Sequence, residues 1–132
     1  MRDDTLVFEV TGDTTRLTRN EDEKRVYQSK TYYSSSHPYA YATFTDLAPG
    51  KGLLQIHSDW GVFHSYWGAM GQTTTIEDFV LQCDSAYITR NLEWWMRFGR
   101  VKKEGFTLLH KFMIECWPKL REIIIEEREK QK

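Results

Sequence analysis

The fold is decided by LLQIHSDWGVFHSYW, residues 53–67, in which two apolar-rich runs flank Trp60-Gly61. If the loop between the runs has an even number of residues, apolar side chains share one face of a hairpin and polar side chains share the other. A three-residue loop would mix the two sets. The apolar set is Leu54, Ile56, Phe63 and Trp67, and the polar set is Gln55, His57, Asp59, His64 and Tyr66. The segment therefore predicts an even-loop hairpin with Trp67 in the core and His57 facing away from it.

The chain before this hairpin also alternates with period two and is divided by turn residues, which is typical of an antiparallel meander. The predicted strands cover residues 6–10, 14–19, 25–33, 39–47, 53–59 and 62–67. Thr11-Gly12-Asp13 and Ala48 to Gly52 are predicted turns, and Asn20 to Lys24 is a predicted charged loop.

From Thr74 onward the apolar spacing becomes helical. Thr74 is a predicted N-cap with Glu77 at the capping-box position, and Asp84 is the predicted cap of a second helix. The last helical pattern contains Pro118, which should kink it or start a new segment. We therefore predict one α+β domain over residues 1–132, an antiparallel sheet of five or six strands followed by two or three helices packed on one face.

Length, charge and composition exclude several classes of protein. The chain has 132 residues, of which 40% are hydrophobic, so it can fill the core of a single domain. A net charge of -1 gives no overall basic field for nucleic acid. Two acids precede a short N-terminal apolar run, unlike a secretion signal, and no apolar stretch is long enough for a membrane span. We therefore expect a cytoplasmic protein. We also expect no cofactor, since Gly68 to Gly71 lacks the lysine of a phosphate-binding loop.

Three polar residues of the hairpin form a candidate metal or acid–base site. His57 and His64 lie on neighbouring predicted strands and share a face with Asp59. Two imidazoles and a carboxylate can bind a transition metal or transfer protons near neutral pH. The competing interpretation is that both histidines are half-exposed strand residues.

A second candidate is the basic junction, residues 97–103, between two predicted helices. It contains Arg97, Arg100, Lys102 and Lys103. These cations could bind the phosphates of a nucleic acid. They could equally complement the dipole at a helix C-terminus.

The third candidate is a tyrosine-bearing face of the sheet. Tyr39 and Tyr41 alternate with Ala40 and Ala42, and in the strand before it Tyr27 and Tyr33 lie opposite Val26 and Tyr32. Helices on one face leave the other face uncovered, and exposed tyrosines are typical of protein-binding surfaces. The alternative is that the tyrosines are the core side and the alanines face outward.

The motifs Ser58-Asp59-Trp60-Gly61, Ser65-Tyr66-Trp67-Gly68 and Cys83-Asp84-Ser85-Ala86-Tyr87-Ile88 resemble those of small phage- and prophage-encoded proteins of unassigned function. The resemblance spans residues 53–92, and His64 and Ile88 stand where other residues are usual in that family. It implies a phage accessory gene product and implies no catalytic residue.

These observations lead to one expected function and two alternatives. The expected function is non-enzymatic binding of a host or defence protein, with an anti-CRISPR-like inhibitor as one form of it. The first alternative is nucleic-acid binding through the basic junction. The second is a small metal-dependent enzyme centred on His57, Asp59 and His64. The sequence leaves a homodimer open.

Overall fold

The computed structural model describes residues 9–20, 23–34, 39–71, 74–97 and 103–130, with side chains described from residue 29 onward apart from the gaps. Five strands precede four helices. The strands are β1 (Glu9–Asn20), β2 (Glu23–Ser34), β3 (Ala40–Ala48), β4 (Lys51–Ser58) and β5 (Gly61–Trp67), and the helices are α1 (Ile76–Gln82), α2 (Ser85–Met96), α3 (Lys103–Glu115) and α4 (Trp117–Lys130).

The strands form one antiparallel sheet in the order β1-β2-β3-β4-β5, which confirms the predicted meander. Ser58 pairs with Gly61, so the β4–β5 hairpin has the two-residue loop that the sequence favoured. Gly61 has a φ of 132°, a backbone conformation that favours glycine. Trp67 is buried and His57 is exposed, as the even-loop register predicts.

The turn predicted at Thr11-Gly12-Asp13 is wrong. β1 runs through these residues without a break, and Gly12 pairs with Lys30 of β2. The turn tendency of Gly and Asp is local, whereas β2 offers a continuous ladder of backbone partners over the same length. The ladder therefore overrides the local preference.

Alternation along the strands divides the sheet into a helix-facing side and an uncovered side. The helix-facing row Tyr32, Ala42, Ile56 and Phe63 crosses four strands and is buried in all of them. Helix residues such as Ile76, Ile88, Leu109 and Ile124 complete this core. The prediction of helices on one face is confirmed, and the helices number four rather than two or three.

Local sequence signals predict where the helices begin, and one predicted N-cap differs from the observed one by a single residue. The Asp84 side chain accepts the Tyr87 N–H at 2.7 Å, so the predicted cap of α2 is confirmed. The N-cap of α1 is Thr75, one residue after the predicted Thr74. The Thr75 hydroxyl accepts the Asp78 N–H. Pro118 lies in the first turn of α4, so it starts a new segment, as one of the two predicted outcomes. The N–H that proline lacks would have no helical partner at this position.

Polar contacts join α1 to the sheet and to α4. The Tyr32 hydroxyl donates to Glu77 Oε2 at 3.0 Å, and burial raises the pKa of Tyr32, with a further contribution from the Glu77 charge. The Ile76 N–H donates to Asp46 Oδ1 at 2.8 Å, so a β3 carboxylate holds the start of α1. Arg128 of α4 forms ion pairs with Glu77 and Asp78.

A membrane-crossing helix would have to be longer and more apolar than any in the described part of the chain.

Replacing Tyr32 with Phe should lower the free energy of unfolding by about 1 to 2 kcal/mol, because the half-buried Glu77 carboxylate loses the hydroxyl that donates to it. Chemical denaturation measures the change. Tyr41→Phe is the matched control, since the Tyr41 ring is 43% exposed, and it should change stability by less than half as much. Equal losses in both variants would contradict a stabilising role for the Tyr32–Glu77 bond.

Asp46 predicts a pH dependence of stability. Burial raises its pKa above the ordinary 3.8, and the Ile76 N–H offsets this only in part. The folded state therefore binds this proton more tightly than the unfolded state, so the contribution of Asp46 to stability falls as pH rises above 3.8. Asp46→Asn keeps an oxygen acceptor for Ile76 without titrating. The variant should gain stability relative to the wild type between acid and neutral pH, measured by denaturation at several pH values; a constant difference would contradict this.

Candidate functional site

The uncovered side of the sheet, called here the open face, consists of three cross-strand rows on β2 to β5. The rows are Tyr33–Tyr41–His57–Val62, Thr31–Thr43–Gln55–His64 and Ser29–Thr45–Leu53–Tyr66. None of these twelve residues is buried, and Val62 is 64% exposed. The rows contain no lysine or arginine, so the open face is polar and aromatic without a positive charge that is fixed at neutral pH.

A chain of ring contacts forms a tyrosine cluster at one end of the open face. The Tyr33 and Tyr41 rings meet edge-on with centroids 5.7 Å apart, and the Tyr41 and Tyr39 rings lie 5.8 Å apart. Tyr39 extends the chain to His57, with ring centroids 5.7 Å apart and a hydrogen bond of 3.1 Å between Tyr39 Oη and His57 Nδ1. These contacts restrict the side-chain rotations of the four residues.

Asp59 fixes the backbone that carries Tyr39. The Tyr39 N–H donates to Asp59 Oδ2 at 2.9 Å, and the Asp59 N–H donates to the Tyr39 carbonyl at 3.2 Å. The β4–β5 turn is held in its own right by Ser58, whose hydroxyl donates to the Gly61 carbonyl at 2.9 Å. The turn thus positions the start of β3 and the first ring of the cluster.

The same turn is fastened to the helix layer by Trp60. Its indole N–H donates to Glu115 Oε2 of α3 at 3.1 Å, and its ring meets Phe112 with centroids 5.7 Å apart. The tyrosine cluster is therefore connected through the turn to the packed side of the molecule.

A shallow groove lies beside the cluster. It has a volume of about 340 Å³ and is lined by Thr31, Tyr33, Tyr41 and Thr43. The Thr31 and Thr43 hydroxyl oxygens are 3.0 Å apart across β2 and β3 and form its polar floor. The groove offers ring surface at one end and hydroxyl groups at the other, which suits a side chain with both apolar and polar parts.

The structure decides between the two orientations of the tyrosines that the sequence left open. Ala40 and Ala42 are buried, Tyr41 is exposed, and Tyr33 and Tyr39 are half-buried. The tyrosines therefore face outward. The side chain of the fourth predicted residue, Tyr27, lies outside the described residues; its backbone pairs with Thr15 in β1.

The structure does not bring His57, Asp59 and His64 together as one ligand set. The His57 ring contacts Tyr39, Asp59 accepts the Tyr39 N–H, and the His64 ring lies 5.6 Å from the ring of Trp95 in α2. In the described part of the chain, no group of three or more His, Cys, Asp or Glu side chains could hold a metal ion. His57 and His64 are both exposed residues of the open face, as the register predicts, and each has a different ring neighbour.

The basic junction is described only at its ends. Arg97 follows the last residue of α2 and Lys103 begins α3, and both are exposed. Arg100 and Lys102 lie outside the described residues. Whether the junction binds nucleic acid stays a prediction.

Sequence reasoning missed Thr31, Thr43 and the pairing of Tyr39 with His57. In the β3–β4 register Tyr41 stands opposite His57. The two-residue turn Pro49-Gly50 by itself would place Tyr41 opposite Ser58, and an irregularity between Asp46 and Ala48 shifts the register by one residue. The turn alone therefore does not place His57 beside the tyrosines.

Replacing Asp59 with Ala should lower the free energy of unfolding by about 1 kcal/mol, because the Tyr39 N–H loses its acceptor. Asp59→Asn retains a side-chain oxygen and should lose less than half as much. Denaturation measures both losses, and amide NMR spectra should show the larger shifts at Tyr39 and Tyr41. Identical behaviour of the two variants would contradict a role for the oxygen acceptor.

Comparison with known proteins identifies the family of the chain. A search of curated proteins and a search of solved structures each found no significant match. A family model described as a phage family, Phage_phiTE_072, matches residues 20–131. This match covers most of the chain, from the end of β1 to the end of α4. The chain therefore belongs to this phage family.

Proposed function

We propose that this phage-family protein is a non-enzymatic accessory factor that binds a protein of the host cell or of its defence systems through the open face. The tyrosine cluster, comprising Tyr33, Tyr39, Tyr41 and His57, is the centre of the binding surface. Inhibition of a defence complex, in the manner of an anti-CRISPR factor, is the narrower form of the proposal. Membership of a phage family supports a host partner and action in the host cytoplasm.

The observation that carries the proposal is the pre-assembled ring cluster on an uncovered face. Tyrosine is enriched among the residues that dominate protein–protein binding energy, because it buries a large rigid ring and adds one hydroxyl. Ring contacts at 5.7 to 5.8 Å already restrict these side chains. Binding would therefore cost less side-chain entropy than it would for isolated surface tyrosines.

A protein partner fits the open face better than a nucleic acid does. Affinity for nucleic acid depends on lysine and arginine contacts to phosphates, even where bases stack on aromatic rings. The twelve residues of the three rows contain neither. Binding to a protein surface does not require lysine or arginine. The tyrosine and threonine hydroxyls supply hydrogen-bonding groups around the rings.

The proposal is tested with Tyr39→Ala/Tyr41→Ala as bait in affinity capture from host lysate, followed by mass spectrometry and purified binding measurements. Wild type should retain a dominant protein partner, and the double variant should bind it at least about 30-fold more weakly, the effect of losing roughly 2 kcal/mol at a hot spot. Ile114→Ala is the matched control, since this residue is 76% exposed on α3, away from the sheet, and its loss should leave binding unchanged.

Two results would reject the proposal. One is equal binding by wild type and the double variant while both fold normally. The other is salt-dependent retention of nucleic acid in place of a protein, lost on replacing Arg97 and Lys103, which would favour the basic junction.

A further inference from the structure

An exposed row of side chains on α2, called here the α2 row, combines two arginines with a tryptophan. Arg90, Trp94 and Arg97 are spaced by four and three residues, so on a helix they lie within about 60° of one another around the axis. Arg97 keeps helical backbone angles, with φ −62° and ψ −26°, so it continues the row. Both arginines are exposed, and Trp94 is 49% exposed although tryptophan is usually well buried.

The positive charges of the α2 row have no counterpart in the described part of the chain. Neither Arg90 nor Arg97 forms an ion pair with another described residue. Glu93 is three residues from Arg90, but its Oε1 lies 3.5 Å from His110 Nε2 of α3 instead. The helix dipole accounts for a cation at position 97, directly after α2, but not for Arg90, which lies before the last turn. Packing of the described residues therefore does not explain the charge of this row.

An accessible indole between two cations suits a single strand of nucleic acid. Guanidinium groups bind phosphates strongly, and unpaired bases stack on aromatic rings whatever their sequence. In a duplex the base faces are stacked on each other, so Trp94 could not reach one. An acidic protein segment would use the two arginines but would give the exposed indole no role. The combination therefore favours a single strand over both.

We propose that the α2 row binds single-stranded nucleic acid, with Arg90 and Arg97 contacting phosphates and Trp94 stacking on a base. The basic junction begins at Arg97, so the α2 row extends that candidate surface along α2 by a second cation and an aromatic ring. No residue of the row belongs to the open face. The inference therefore does not rest on the proposed function.

The test measures binding of labelled oligothymidylate and oligouridylate by fluorescence anisotropy at several salt concentrations. Binding of either strand in preference to a duplex of equal length supports the proposal, and the tighter strand assigns DNA or RNA. Trp94→Leu should weaken binding about tenfold, whereas Trp94→Phe keeps a ring and should restore most of the affinity. Arg90→Gln and Arg97→Gln should each reduce the logarithmic salt slope by about 0.7, the contribution of one phosphate contact to a single strand.

Lys119→Gln is the matched control, because it removes one positive charge from an exposed position on α4 and should leave affinity and slope unchanged. The Tyr39→Ala/Tyr41→Ala variant should bind the strands like wild type, and Arg90→Gln should retain the protein partner, so the two surfaces are tested separately.

Absence of binding to both strands at low salt would overturn the proposal. So would equal losses in Lys119→Gln and Arg90→Gln, or competition by polyglutamate as effective as that by unlabelled oligothymidylate, since either result would indicate a general attraction to anions. Melting temperatures of the variants check that each is folded. If Trp94→Leu does not fold, the salt slopes of the two arginine variants still decide the outcome.

Discussion

Tyr32 and Tyr33 are adjacent in β2, yet one is fully buried and the other lies on the open face, because successive side chains of a strand point to opposite sides. The position of the helix layer and that of the open face both depend on this alternation. The helices cover the side that holds Tyr32, and among the described elements no second layer covers the side that holds Tyr33. The sequence accommodates both environments by placing alanine and large apolar residues on one side and tyrosine, threonine and histidine on the other.

The apolar core joins the helix layer to one side of the sheet, and polar contacts add to it. Asp46, Glu77 and Arg128 connect a strand, the short α1 and the end of α4, which are far apart in sequence. Gly52 allows α1 to approach closely, since a Cβ at this position would lie 2.7 Å from Ile76 Cβ. Polar groups and a close backbone approach therefore fix α1 on the side of the sheet opposite the open face.

The features that could be predicted from the sequence depend on short-range patterns. The alternation around Trp60-Gly61 gave the hairpin register, Asp84 gave a helix start, and Pro118 gave a helix boundary; the structure confirms all three. The features that could not be predicted depend on long-range contacts. The Thr11-Gly12-Asp13 segment reads as a turn until β2 is known to run alongside it, and the cap that Asp46 provides for α1 spans 30 residues. The same limit applies to the candidate site: the sequence predicts His57 beside His64, whereas its ring contact and hydrogen bond are with Tyr39, the residue before β3.

The strand order separates the tyrosine cluster from the part of the open face that contacts a helix. At β5 the ring of His64 lies 5.6 Å from the ring of Trp95 in α2, so this end of the open face reaches the helix layer. Tyr33 and Tyr41 lie on β2 and β3, in the interior of the sheet order, and their rings contact each other. The β4–β5 turn connects the two regions, because the Trp60 indole N–H donates to a carboxylate of α3. The packing of the helices can therefore affect the geometry of the rings through that turn, although the rings themselves lie on the other side of the sheet.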